Sequence, residues 1–448
     1  MNTIITFIRK LLRKKKKTQL NIDKAYLVER NQHHVSKTEI SQNALTVVNR
    51  LTHAGFQAYV VGGGVRDLLL RHCPKDFDVA TNATPNEIKK LFRNARIIGR
   101  RFKLAHILFH REIIEVATFR GTESQEMKSA QQKTNERGML VRDNVYGTLE
   151  EDAWRRDFTI NSLYYDAATS SIIDFTGGVP DIHKRLIRMI GDPKMRYAED
   201  PVRMIRAIRF SAKLKFDIEK DTAQQIHALS HLIEHVSNSR MFDEVVKLYH
   251  CGAAETVHRL LIHYGLFQRL FPLTFPLCHE HSVNTLIILA LENTDSRLKE
   301  NKPVTPAFLF AVLLWFPLKK MMKTLEKNAS LDPLSALEQA MSIVLSEQCK
   351  VTVIPKRFTQ VIREMWLLQF RFEKRTGQRA YQLMEHPRFR AAFDLLALRA
   401  LAGDESMALA DWWTIFQESD VEKQTKMIET AESKPAKKPK RKKKPDTA

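Results

Sequence analysis

A chain of 448 residues, 44% of them hydrophobic, is long enough to form several domains with substantial cores. Its formal net charge of +21 favours polyanionic partners, meaning nucleic acid or an anionic membrane surface. The four cysteines are far apart and include no CxxC pair, which argues against a zinc centre or a disulfide framework and favours a reducing cytoplasm. The longest apolar stretch, residues 307–318, is too short to cross a bilayer.

Much of the positive charge lies at the two ends of the chain. Residues 1–17 contain seven Lys or Arg, and residues 434–448 contain eight. We therefore predict a basic N-terminal arm at residues 1–40 and a disordered basic tail at residues 426–448. Within the arm, Ile4, Phe7 and Leu11 share one face of an amphipathic helix that basic residues follow, which suits RNA or peripheral contact with a membrane surface.

A strand, a glycine turn and a short helix are predicted in succession from residue 58. The apolar run Ala58–Val61 has the pattern of a buried strand, and Gly62, Gly63 and Gly64 follow it. Residues 65–70 then have a helical pattern. Glycines allow backbone N–H groups to approach a phosphate closely, so this stretch predicts an anion-binding turn.

Two aspartates follow within a short distance. If residues 75–79 form a strand, Asp76 and Asp78 share one face while Phe77 and Val79 point into the core. Two close carboxylates require a cation, and Mg²⁺ favours carboxylate oxygen. Either a glycine turn or an Asp-x-Asp pair alone is usually structural. Both together within seventeen residues favour chemistry on a nucleoside triphosphate.

The next predicted elements continue a sheet. Thr84 and Pro85 predict a helix start, and strands are predicted at residues 95–98, 104–109 and 113–118. Glu115 lies in the middle of the last of these strands. It is either a third carboxylate at the metal site or the partner of an arginine. Residues 149–163 have a helical pattern that carries Arg155, Arg156 and Asp157.

Beyond residue 181 the pattern is helical almost throughout. Asp200 and Pro201 predict a helix start, and Arg203, Arg206 and Arg209 then recur every three residues on one face. Such an arginine row is often only a solvated face, but it also suits a triphosphate or an RNA backbone.

Several of these stretches resemble the class II nucleotidyltransferase family. The matching segments are VVGGGVRDLLL (60–70), KDFDVATNATP (75–85), RNARIIGRRFKLAH (93–106), EVATFRG (115–121), RRDFTINSLYYD (155–166) and GDPKMRYAEDPVRMIRAIRF (191–210). The resemblance covers roughly residues 40–420 and implies an α+β protein. In this arrangement a nucleotidyltransferase head with a mixed β-sheet and flanking helices (41–180) precedes an all-α neck (181–260) and body (261–425).

The resemblance also implies residue roles. Asp76 and Asp78 match the metal-binding catalytic pair, for Mg²⁺ or Mn²⁺, and Asp157 matches an essential aspartate. Whether Asp157 or Glu115 is the third carboxylate stays open. By the same resemblance, Asp200 and Arg203 read the edge of the nucleobase. The residues that match nucleotide-binding positions are Gly62, Gly63, Arg66, Lys75, Arg156, Glu199, Asp200 and Arg203.

The implied activity is template-independent addition of nucleotides from ATP to RNA 3′ ends, with release of pyrophosphate. The GRRFKLAH stretch and the long helical C-terminal part with its basic tail favour polyadenylation, which promotes RNA turnover. The first alternative is CCA addition to transfer RNA. A second alternative is an RNA-binding scaffold with an inactive head, which the intact aspartate pair argues against.

Overall fold

The computed structural model describes residues 26–99, 103–110, 112–121, 132–134, 140–143 and 145–432. The chain divides into two compact units. The first, the head unit, comprises the described residues up to 184 together with 188–191. The second, the helical unit, comprises 185–187 together with the described residues from 192. The predicted α+β fold, a mixed-sheet head followed by helices, is confirmed.

The head unit is organised around one large sheet. Its strands are β1 Tyr26–Val28, β2 Ala58–Val61, β3 Asp78–Thr81, β4 Ala95–Ile98, β5 Leu104–Phe109, β6 Glu112–Thr118, β9 Leu163–Asp166 and β10 Ser171–Asp174, in the order β1-β10-β9-β2-β3-β6-β5-β4. β3 and β6 are parallel, and the other neighbours are antiparallel. A separate pair is formed by β7 Gln132–Thr134 and β8 Leu140–Asp143.

Helices flank this sheet. They are α1 Gln42–His53, α2 Gly63–Leu69, α3 Pro85–Leu91, α4 Leu149–Arg155 and α5 Gly178–Lys184. Ser41 caps α1, whose apolar face packs on β2, β3 and β6. Thr84 and Glu87 form a reciprocal capping box at the start of α3, as the Thr-Pro signal predicts. α3 covers β4 and β5 on the side of Ile88, which is fully buried.

The helix predicted over 149–163 is wrong beyond Arg155. Arg156 is extended, a 3₁₀ turn follows at Thr159–Asn161, and the chain then enters β9. Backbone bonds to a distant segment stabilise this path, since Thr159 N–H donates to Arg188 O and Ile190 N–H donates to Asp157 O, each at 3.0 Å.

Two predicted boundaries also differ from the structure. Within the arm predicted over 1–40, β1 pairs with β10, and Val28, Val35 and Ile40 are buried, so the described part of the arm belongs to the folded head unit. Within the tail predicted over 426–448, residues up to 432 continue a helix whose Ile428 packs into a buried aromatic cluster. The predicted amphipathic helix lies outside the described residues.

The helical unit begins with a two-stranded parallel pair, β11 Leu186–Ile187 and β12 Asp217–Ile218. Its helices are α6 Pro193–Glu199, α7 Val202–Leu214, α8 Lys220–Leu229, α9 Asn238–Tyr249, α10 Ala254–His263, α11 Phe267–Leu270, α12 His281–Lys299, α13 Pro306–Leu313, α14 Trp315–Asn328, α15 Pro333–Cys349, α16 Lys356–Arg371, α17 Gln378–Met384, α18 Phe389–Leu401, α19 Met407–Glu418 and α20 Val421–Glu432. None of the helices in the described part of the chain is long and apolar enough to span a membrane.

A buried ionic cluster joins several of these helices. The Asp404 carboxylate accepts hydrogen bonds from Trp315 Nε1 at 2.9 Å and Arg399 Nε at 2.8 Å, and it also pairs with Lys319. Burial alone would raise the pKa of Asp404, but these partners outweigh it and hold the pKa below its ordinary value. The cluster therefore fixes the loop after α18 against α14.

Candidate active site

The aspartate pair lies where β3 begins. β3 starts at Asp78, so Asp76 lies just before the strand rather than within it. The alternation of side chains nevertheless holds, since Asp76 and Asp78 are exposed while Phe77 and Val79 are buried. Both carboxylates therefore face the same side, as the spacing predicts.

The strand register places Asp78 in a row that crosses the sheet. Asp78 is paired with Val61 on one side and with Glu115 on the other. Glu115 is in turn paired with His106, and His106 with Arg96. Paired residues on neighbouring strands point to the same face, so these side chains form one continuous line.

Glu115 therefore lies beside Asp78, one strand away. Its Oε2 is 3.3 Å from His106 Nε2, so among the described residues the partner of Glu115 is a histidine. This placement beside Asp78 is compatible with a third carboxylate at the metal site, and that role stays a prediction. His106 was missed, because only the strand register shows that it neighbours Glu115.

The electrostatic state of Asp78 reflects these neighbours. Although water reaches Asp78, the surrounding protein partly desolvates its carboxylate and raises its pKa to about 6. The negative charge of Glu115 is the second cause of this increase, Arg156 opposes it, and Asp76 makes a smaller contribution to it. A cation placed here would relieve the repulsion among the carboxylates.

The donor set suits a hard divalent cation. The described residues contain no group of three or more His, Cys, Asp or Glu side chains arranged to hold a metal ion. Mg²⁺, however, is commonly bound by one or two carboxylates together with substrate phosphates. The pair Asp76 and Asp78 provides those carboxylates, so the residues present fit the ion.

The glycine turn lies directly beside this pair. Gly62 has φ +77°, a backbone conformation that side-chain-bearing residues rarely adopt, and its N–H donates to Leu163 O at 3.0 Å. A Cβ on Gly64 would lie 3.1 Å from the Phe77 ring, between the two aspartates in sequence. Glycine thus allows the turn and the aspartate segment to approach each other closely.

Arg66, predicted to bind nucleotide, is almost fully buried beneath the turn. Its Nε and Nη2 donate to Asp67 Oδ1 at 2.8 and 2.6 Å, and its Nη1 donates to Asn161 Oδ1 at 2.6 Å. Asn161 Nδ2 donates to Asp157 Oδ1 at 3.1 Å. Hydrogen bonds therefore connect Arg66 to Asp157 through Asn161, a residue that the sequence analysis missed.

Arg156 is held by a second buried network. Its Nε and Nη2 donate to Asp152 Oδ2 at 3.2 and 3.0 Å, and its Nε also donates to the Tyr164 hydroxyl at 2.9 Å. The Tyr164 hydroxyl donates to Asp152 Oδ2 at 2.7 Å. Burial alone would raise the pKa of Asp152, but Arg156 and Tyr164 hold it below its ordinary value.

The guanidinium of Arg156 points toward the glycine turn, with Nη1 3.5 Å from where a Cβ on Gly62 would lie. It thus presents positive charge beside the turn and near Asp78. Asp152 and Tyr164 were missed, although Asp152 precedes Arg156 by one helical turn, the spacing of an ion pair. Lys75 is exposed just before the aspartate pair.

A further predicted group lies in the helical unit. Glu199 Oε2 accepts from Arg203 Nη1 and from Arg196 Nη1, both at 2.6 Å. The two carboxylate oxygens of Asp200 accept from Arg240 Nη1 and Nη2 at 2.9 and 2.8 Å. Arg240 lies forty residues beyond Asp200, and no local sequence signal points to it.

The other arginines of α7 have aromatic neighbours. The guanidinium carbons of Arg206 and Arg209 lie 5.3 and 5.1 Å from the centroid of the Phe210 ring. This cation–π geometry, together with their position one turn apart, gives α7 a positively charged face. Just before this helix, Glu199 and Asp200 are held in orientation by their ion pairs with arginines.

A mixed sheet that carries paired carboxylates beside a glycine turn defines the head as a nucleotidyltransferase domain. Three family models match in order: the poly A polymerase head domain over residues 58–188, the probable RNA and SrmB-binding site of polymerase A over 215–278, and the polymerase A arginine-rich C-terminus over 329–447. The chain is 46% identical to poly(A) polymerase I of Salmonella typhi over 442 residues, which covers 97% of this chain and 95% of the relative. It is 47% identical to poly(A) polymerase I of Escherichia coli O6:H1 over 418 residues, which covers 92% and 90%. The chain therefore belongs to the poly(A) polymerase I family.

CCA-adding enzymes are more distant relatives. That of Bacillus velezensis is 36% identical over 227 residues, which is 51% of this chain and 55% of the relative. Among solved structures, the Bacillus stearothermophilus CCA-adding enzyme in complex with CTP matches with a TM-score of 0.58 and 25% identity, covering 87% of this chain and 82% of that one. The fold is thus common to both groups, while the sequence similarity over the whole chain is to the poly(A) polymerases.

Proposed function

We propose that this protein transfers AMP from ATP to the 3′ end of RNA without a template, releasing pyrophosphate and building a poly(A) tail. The observation that carries the proposal is the carboxylate pair Asp76 and Asp78 on one exposed face beside the glycine turn of Gly62. Near-complete coverage by poly(A) polymerase I relatives supports adenylate as the transferred unit.

Different residues of the head would have different roles in the transfer. The turn at Gly62 and Gly63 approaches the triphosphate with its backbone, and Arg156 adds positive charge where the departing pyrophosphate accumulates negative charge. Lys75 adds charge from the solvent side. Arg66 acts from below the turn, by holding Asn161 and through it Asp157.

The carboxylates would hold the divalent cation, Mg²⁺ or Mn²⁺. Asp76 and Asp78 would bind it, with Glu115 as the adjacent third carboxylate. When bound, such an ion favours the deprotonated 3′-hydroxyl and neutralises the triphosphate. Because the pKa of Asp78 is raised to about 6 without a bound cation, protons compete with the cation for this carboxylate below that pH.

Base selection would come from protein side chains, since no template strand is used. Asp200 and Arg203 are the proposed readers of the adenine edge, with Glu199 supporting Arg203. Arg240 holds both oxygens of Asp200 and so limits the orientations of its carboxylate. A rigid pair of hydrogen-bonding groups discriminates between bases better than a mobile pair.

CCA addition to transfer RNA is the second candidate, because a CCA-adding enzyme shares the fold over most of the chain. It predicts a short, defined extension of truncated transfer RNA with CTP and ATP. Long adenylate tails on generic RNA favour polyadenylation instead.

The partners and location follow from the same proposal. RNA 3′ ends and ATP are the substrates, and the cytoplasm is the proposed site of action. Contact of the N-terminal arm with a membrane surface stays a prediction, since residues 1–25 lie outside the described part of the chain.

The proposal is tested by the variant Asp76→Ala under Mg²⁺ and ATP. We expect AMP incorporation to be lost while the affinity for RNA, measured by titration of a fluorescent oligonucleotide, stays nearly unchanged. Asp221→Ala, which removes an exposed acid of α8, is the control and should retain activity. Equal and negligible activity of wild type and Asp76→Ala would favour an RNA-binding scaffold with an inactive head.

A further inference from the structure

The row of side chains through Asp78 is buried on one side of Asp78 and accessible to solvent on the other. Toward β2 and β9 it continues into Val61 and Tyr164, which are buried and pack with Ala153 of α4. Toward β6, β5 and β4 it continues into Glu115, His106 and Arg96, all of them at least partly accessible. Among the described residues of this row, the accessible surface beside Asp78 therefore lies across these last three strands, where a long substrate could extend.

This open part of the sheet, which we call the strand β6–β5–β4 strip, has a charged centre and apolar borders. Glu115, His106 and Arg96 form the central row. Ile113 lies two residues from Glu115 on the same face and is 52% exposed, and Ile98 lies two residues from Arg96 and is 38% exposed. These two isoleucines add accessible apolar surface at the borders of the charged row.

We propose that the strand β6–β5–β4 strip binds the last few nucleotides of the RNA primer, with the 3′-hydroxyl at Glu115 and Asp78 and the backbone running toward Arg96. The proposal rests on the proposed function and specifies where its second substrate lies. The glycine turn follows β2, and the strip begins at β6, so the nucleotide and the primer would approach Asp78 from opposite sides of β3. Such an arrangement is compatible with in-line displacement, in which the incoming and leaving oxygens lie on opposite sides of the reacting phosphate.

The charges along the row fit an RNA end. Arg96 is three strands from Asp78, and with about 4.8 Å between strands the two lie roughly 14 Å apart. That distance brings a phosphate behind the terminal nucleotide within reach of the Arg96 guanidinium, which binds phosphate through parallel hydrogen bonds. Ile113 and Ile98 offer apolar surface to riboses and bases without reading sequence, as a template-independent enzyme requires.

The first test compares Arg96→Ala with Lys90→Ala. Lys90 is an exposed cation on α3, the helix that covers the opposite face of β4 and β5. Arg96→Ala should raise the KM for oligoadenylate primers about tenfold, the equivalent of about 1.4 kcal/mol, once the primer is long enough to reach it. The KM for shorter primers, the KM for ATP and the kcat at saturating RNA should be unchanged in Arg96→Ala. Lys90→Ala should resemble wild type in all of these measurements. Equal KM values for both variants at every primer length would overturn the proposal.

A second measurement does not depend on activity. A photocrosslinking amino acid replaces Ile113 in one variant and Leu27, 46% exposed on the opposite edge strand, in another. With RNA labelled at its 3′ end, we expect crosslinks at position 113 and few at position 27. Crosslinks at 113 in a protein that incorporates no AMP would uphold the strip while refuting the proposed function. Labelling at 27 equal to that at 113 would refute the strip and indicate a protein partner for these isoleucines.

Discussion

Tyr164→Phe removes a single hydroxyl group from the network that orients Arg156. The substitution removes the hydroxyl that donates to Asp152 at 2.7 Å and accepts from Arg156 Nε, in a place where Tyr164 is fully buried. A hydrogen bond to a charged partner contributes about 1.5–3 kcal/mol, so we expect the free energy of unfolding to fall by that amount. Asp152→Ala should cost about 3–5 kcal/mol, because it leaves the Arg156 charge without its buried counter-ion.

The same variant tests whether the network serves catalysis. Because Arg156 faces the glycine turn, a loosened guanidinium should raise the KM for ATP about tenfold while the affinity for RNA is retained. Urea denaturation and steady-state kinetics measure the two effects. Tyr381→Phe is the control, since its hydroxyl makes a long, exposed contact of 3.5 Å to Thr425, and it should change stability by less than about 0.5 kcal/mol. The reasoning fails if Tyr164→Phe matches Tyr381→Phe in both measurements.

Three further predictions concern the helical unit and the tail. Arg240→Ala should lower the preference for ATP over CTP about tenfold, measured as the ratio of kcat/KM values, because Asp200 loses its bidentate partner. Asp404→Asn should destabilise the protein by about 3–5 kcal/mol at neutral pH. Since the folded-state pKa of Asp404 is lowered, this difference should shrink as the pH falls below about 4, which urea midpoints at several pH values will show. Deletion of 434–448, with its eight Lys or Arg, should flatten the plot of log affinity against log salt by roughly 0.7 for each lost contact to single-stranded RNA.

Local signals predicted much of the head correctly. The strand Ala58–Val61 has the predicted bounds, and the Thr84-Pro85 pair begins a helix with a reciprocal cap. The alternation from Asp76 to Val79 also holds, although β3 begins only at Asp78. In each case neighbouring residues determine the conformation: apolar runs favour strands, and a capping side chain followed by proline favours a helix start.

Distant contacts explain the errors. The helix predicted over 149–163 ends early because Asp157 and Thr159 bond to the backbone of 188–190, which no local pattern reveals. Likewise, residues 426–432 remain helical because Ile428 meets an aromatic cluster built from earlier helices. The partner of Glu115 could be identified only from the strand register. The partner of Asp200 is Arg240, which lies forty positions later in the chain.

Extension of an unstructured RNA primer with each of the four nucleoside triphosphates in turn tests the central claim most directly. The account predicts long tails with ATP, little incorporation with the other three, and loss of the ATP reaction in Asp76→Ala. Transfer RNA that lacks its 3′ end, offered CTP and ATP together, is the parallel substrate. Addition of only two C and one A to that RNA, with no tails on the unstructured primer, would contradict the account.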